Sequence, residues 1–157
     1  MMNKTLSIAI AIALAAGIAT VGSSHSASAD EVKSTGLEFK AAYASQASCL
    51  SRSGSSYAGV QNTCSYRVEV VAWIPIVTAG WKDTSVFVFG NNTWCQTVAT
   101  NDVGNGANIG STVWTTAGPE TWQSLNTGSR YVWSWSPLLV RCGLDAGETI
   151  GAAHAQW

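Results

Sequence analysis

The chain has 157 residues with eight basic and nine acidic side chains, a net charge of −1, and it carries eight Trp and four Cys. Charge this sparse and balanced excludes a grip on a nucleic-acid backbone and supplies no polybasic stretch for an anionic membrane. The length is that of one ordinary domain with a core large enough to carry its own stability.

Residues 1–29 read as a cleaved signal peptide. Lys4 gives the positive start, residues 6–20 are an apolar run too short for a comfortable membrane span, and Ala27-Ser28-Ala29 ahead of Asp30 is a cleavage site. Its removal leaves residues 30–157 as a single domain with net charge −2, secreted or periplasmic and with no membrane attachment of its own. All four cysteines lie in that part. An even count in an exported chain reads as two disulfides. Of the three pairings, Cys49–Cys64 and Cys95–Cys142 are favoured: the first closes a local Ser/Gly-rich loop, and the second ties mid-chain to the C-terminal strand. A zinc site is disfavoured, because no two cysteines are close and His154 is the only histidine after the leader.

In chain order, residues 30–35 are polar and read as a loose leader. Residues 36–43 alternate, with Leu37, Phe39, Ala41 and Tyr43 on one face, and predict a half-buried strand. Residues 44–63 read as a long loop pinned by Cys49 and Cys64. Residues 65–74 are the clearest strand, with Tyr66, Val68, Val70, Ala72 and Ile74 on one face and Arg67, Glu69, Val71 and Trp73 on the other, mixed face; Pro75 stops it or places it at an edge. Residues 76–83 read as a loop containing Trp81.

Residues 84–89 are apolar on both faces and predict a central strand. Gly90-Asn91-Asn92-Thr93 then reads as a hairpin turn leading to a strand over 93–100. The loop 101–108 is rich in Asp and Asn but lacks the spaced ligands of a calcium loop. Residues 109–116 are another strand. Residues 117–128 read as a loop holding Trp122, with Pro119-Glu120 opening one helical turn. Residues 130–136 and 138–142 follow on either side of Pro137. Residues 149–157 form the last strand.

Seven or eight short strands with regular turns and no convincing helix predict an all-β fold, an antiparallel β-sandwich, with a small β-barrel as the alternative. In the C-terminal part, the spacing of Tyr131, Cys142, Leu144, Gly147 and Ile150 resembles that of small exported bacterial proteins. That likeness implies a turn and a strand and carries no function.

For function, the surplus of Trp leads. Sugar rings present apolar faces that stack on flat aromatic rings, while Asn, Gln and Asp hold hydroxyls. The reading is a small non-catalytic binding protein, with a glycan or another extracytoplasmic partner, and with Trp73, Trp81 and Trp122 as the ligand-binding candidates. Tyr131, Trp133 and Trp135 share a face but read as the inward side of their strand, which requires the inward parity to flip across Pro137. Two alternatives stand beside this. A secreted hydrolase would use loop carboxylates among Asp83, Asp102, Glu120, Asp145 and Glu148. A protease-inhibitor-like protein would present the loop 51–63. No nucleophile motif is present, and no catalytic residue, cofactor or metal ligand is assigned. The oligomeric state is left open.

Overall fold

The computed structural model describes residues 31–53, 59–101 and 106–157. Two six-stranded antiparallel sheets pack as a sandwich. The first sheet runs β10 (Trp122–Val132), β6 (Gly80–Phe89), β12 (Thr149–Gln156), β4 (Gly59–Asn62), β3 (Leu50–Ser53), with β1 (Glu31–Thr35) also paired to β12. The second runs β2 (Lys40–Ala41), β5 (Val68–Pro75), β11 (Pro137–Leu144), β7 (Trp94–Thr100), β8 (Ala107–Ile109), with β9 (Val113–Trp114) also on β7.

Alternation decides what is buried. Val68, Val70, Ala72 and Ile74 of β5 meet Leu138, Val140, Cys142 and Leu144 of β11 on one inner face, and Val86, Val88, Ile150 and Ala153 supply the other. A β-bulge between Ile150 and Ala152 moves His154 to the outer face, away from Ile150. Both disulfides are closed. Cys49–Cys64 lies at the base of the β3–β4 hairpin, and Cys95–Cys142 joins directly opposed residues of β7 and β11 inside the core.

Several boundaries differ from expectation. Residues 31–35 are not a loose leader but strand β1 beside β12, with Glu31, Lys33 and Thr35 exposed and Ser34 buried. The expected strand over 36–43 is interrupted by a 3-10 turn at Gly36–Glu38, because the Glu38 carboxylate accepts bonds from Ser34 Oγ and Thr35 N and folds the chain back; only Lys40–Ala41 pair with β5. The expected loop over 44–63 contains a 3-10 segment, Ala44–Cys49, and the β3–β4 hairpin, whose connecting residues 54–58 lie outside those described. Pro119-Glu120 makes a turn rather than helix, with Glu120 at φ 59°.

The largest difference is at Gly90-Asn91-Asn92-Thr93. It is no hairpin, since β6 and β7 lie in different sheets, and Phe89 faces Trp122 and Thr149 rather than Trp94. Glu148, 5% exposed, holds the crossover: Oε1 accepts from Asn91 N at 3.0 Å and Asn92 N at 2.7 Å, and Oε2 from Thr93 Oγ1 at 2.6 Å and Asp145 N at 2.7 Å.

Lys82 points between the sheets and is 1% exposed, with Nζ 3.8 Å from the centre of the Trp157 ring. A desolvated cation over an indole is worth about 2 kcal/mol. Trp157→Ala is expected to lower unfolding stability by that amount in a urea titration, and Trp157→Phe to recover most of it. An unchanged midpoint in Trp157→Ala would refute the contact.

Candidate ligand-binding surface

The eight Trp divide by their surroundings. On the outer face of the second sheet, Trp94 lies under Arg141, whose guanidinium is 5.6 Å from the ring, and Trp114 under Arg67 at 5.2 Å. Gly143 makes room for Trp94; a Cβ there would fall 2.2 Å from its Nε1. Trp157 covers Lys82. Trp122 stacks on Phe87 with ring centres 4.8 Å apart and planes within 9°. Those four carry structural contacts.

The other four lie toward one end of the sandwich, with Trp81 on the outer face of the first sheet and Trp73 on the outer face of the second. There β5 ends at Pro75, β6 begins at Gly80, β10 ends at Val132, and residues 133–136 cross to Pro137 of β11. Trp81 and Tyr131 are cross-strand partners on the outer face of the first sheet, 5.9 Å apart, and Tyr131 meets Trp133 at 5.7 Å. Past the edge, Trp135 and Trp73 line one hollow of about 570 Å³ with Pro75, Ile76, Val77 and Pro137. Trp73 is 55% exposed, Trp81 64% and Trp135 80%. Glu38 also lines that hollow, and on the other flank of Trp73 it is joined by Lys40 and Arg52. Beside Trp81, Asp83 accepts a hydrogen bond from Ser129 Oγ.

Of the candidate tryptophans, the structure brings Trp73 and Trp81 to the same end and leaves Trp122 apart. Trp81 and Trp122 do not sit in loops; both are strand residues, of β6 and β10. The inward reading of Tyr131, Trp133 and Trp135 is overturned. All three are exposed, while Val132 and Ser136 on the opposite parity are buried. No parity flip occurs at Pro137: the even positions Val132, Ser136, Leu138, Val140 and Cys142 are buried, and only Ser134, in the turn between the strands, breaks the run by being exposed. That shared parity of Val132, Leu138 and Val140 was readable from the aliphatic residues alone and turns the aromatics outward.

The carboxylates have other employment. Arg67 and Glu69 do not pair with each other. Arg67 Nε donates to Asp145 Oδ1 at 2.7 Å, and Arg141 Nε donates to Glu69 Oε2 at 2.9 Å. Glu120 and Glu148 line one cleft of about 350 Å³ at the opposite end, yet Glu148 already accepts four hydrogen bonds and is a fastener rather than a solvated turn acid. Asp102 lies outside the described residues. His154 contacts Glu31 through Nδ1 at 2.6 Å; the Lys33 ammonium beside Glu31, with His154 adding to it, holds the Glu31 carboxyl below its ordinary range. Among the described residues no three His, Cys, Asp or Glu side chains are grouped to hold a metal ion.

No family model matches the sequence, and no curated protein matches it. In fold the chain is similar to the C-terminal CBM6 of LamC, a laminarinase of Zobellia galactanivorans, with a TM-score of 0.55 at 9% identity over 82% of this chain and 100% of that one. It is similar also to the carbohydrate-binding module CBM6cm-2 of lichenase 5A from Cellvibrio mixtus, solved in complex with cellotriose, with a TM-score of 0.50 at 12% identity over 82% of this chain and 96% of that one. The shared feature is the β-sandwich.

Proposed function

We propose that the chain is exported, loses residues 1–29, and acts without catalysis as a carbohydrate-binding protein, using the aromatic end formed by Trp73, Trp81, Tyr131, Trp133 and Trp135. Trp135 carries this reading. It is 80% exposed and sits at φ 62°, a left-handed conformation that a bulky aromatic residue resists. A side chain that is both strained and presented to water stabilises nothing by its burial, and such strain gathers at functional sites. The fold likeness to carbohydrate-binding modules supports a glycan over other partners. Two disulfides support an oxidising, extracytoplasmic location.

Trp135→Gly separates function from structure. Glycine accepts the positive φ, so the variant should gain about 1 kcal/mol of stability. In affinity electrophoresis through gels containing soluble polysaccharide, it should lose the retardation shown by the unaltered protein. A variant that melts earlier, or that keeps full retardation, would remove Trp135 from the binding surface.

A further inference from the structure

Adjacent rings at the aromatic end face different directions. The planes of Trp81 and Tyr131 meet at 79°, and those of Tyr131 and Trp133 at 82°. Trp73 and Trp135 belong to the lining of a hollow of about 570 Å³, a volume in the range of small-molecule sites. A crystalline polysaccharide offers a rigid plane. To hold it by stacking, several adjacent rings must lie in one plane and face one way, and here Tyr131 stands nearly perpendicular to both of its neighbours, Trp81 and Trp133. A hollow also cannot be entered by a plane. A single hydrated chain meets both conditions: it turns along its length, so successive sugars can lie against rings set at right angles, and one segment can enter the hollow between Trp73 and Trp135.

We infer that the ligand is a single, solvated glycan chain several sugars long and not the face of a polysaccharide crystal. The inference rests on the carbohydrate-binding reading above. Trp81, Tyr131 and Trp133 follow one another at ring spacings of 5.9 and 5.7 Å, more than one sugar ring covers, so affinity should rise with chain length.

The test compares the full protein with its Trp135→Ala and Trp73→Ala variants. Calorimetry measures binding to cellohexaose and laminarihexaose, each beside its disaccharide; sedimentation measures retention on microcrystalline cellulose and crystalline chitin. At least one hexasaccharide should bind, more tightly than its disaccharide, with about a tenfold loss in each variant, and the particles should retain no protein. Both side chains are exposed, so the variants should keep the melting temperature of the unaltered protein; Trp135→Tyr, which retains a ring, should lose less affinity than Trp135→Ala. Retention on the crystals that the free hexasaccharides do not compete away would overturn the single-chain inference and leave carbohydrate binding standing. Binding to neither soluble chains nor crystals would overturn the carbohydrate reading itself, and this inference with it.

Discussion

Glu148→Ala is expected to cost about 3–4 kcal/mol, a large share of what a domain of this size has to lose. The carboxylate is nearly buried and accepts four hydrogen bonds, three from the backbone of Asn91, Asn92 and Asp145 and one from the Thr93 hydroxyl. Bonds to a charged acceptor contribute about 1.5–3 kcal/mol each when buried, and water replaces part of that at the half-exposed loop positions. Glu148→Gln keeps the size but turns an NH2 group toward donors, so about 2 kcal/mol should be lost. Gly90→Ala should fall in the same range for a related reason. Gly90 has φ 132°, and a Cβ there would lie 2.6 Å from Glu148 Cγ. Guanidinium unfolding monitored by circular dichroism checks all three. A Glu148→Ala variant within 1 kcal/mol of the unaltered protein would mean that the crossover between the sheets is held elsewhere.

The second large effect concerns Cys95–Cys142. It closes a span of 47 residues, and the loop-entropy relation assigns such a link about 4 kcal/mol, against about 3 for the 15-residue span of Cys49–Cys64. Access orders them the other way. Cys95 and Cys142 are wholly buried between the sheets, whereas Cys64 is partly exposed. Under a mild reductant without denaturant, Cys49–Cys64 should therefore open first, and Cys95–Cys142 should open only as the molecule unfolds. Alkylation followed by peptide mapping reads the order. The Cys95→Ala, Cys142→Ala double variant should show the deeper loss of melting temperature. Equal rates of reduction, or a deeper loss from removing Cys49 and Cys64, would contradict this account.

The fold class was legible because period-two burial is strong where aliphatic residues dominate. In β5, the alternation of Val68, Val70, Ala72 and Ile74 against Arg67, Glu69 and Trp73 left one reading. Polar strands were not legible. Glu31–Thr35 and Gly59–Asn62 pair through backbone bonds that composition does not announce, and residues 122–128, the first part of β10, read as loop because Ser, Asn, Thr and Gly fill them. The composition of Gly90-Asn91-Asn92-Thr93 fits a reversal of the chain without fixing its destination. Residues that tolerate positive φ mark a reversal, but they do not say whether the chain returns to its own sheet or crosses to the other. Here the deciding group is Glu148, more than fifty residues away. Trp73 is legible as exposed from its polar face-mates Arg67 and Glu69, whereas Trp81 is exposed as a strand residue of β6 and not as part of the expected loop. Trp135 was missed because aromatic bulk was weighed as core, when the even-numbered aliphatic residues around it already occupied the inside.

The last strand of the described chain lies in the middle of the first sheet. β12 is flanked by β6 on one side and by β1 and β4 on the other. Until residues 149–156 are available, β1 has no neighbour and β6 is bare along one edge. Such order-reversing topology makes folding slow, because distant segments must meet before any of them gains its partner. The β3–β4 hairpin can form early, since its partners are close in sequence. The first sheet, by contrast, is complete only once the final strand lies between β6 on one side and β1 and β4 on the other.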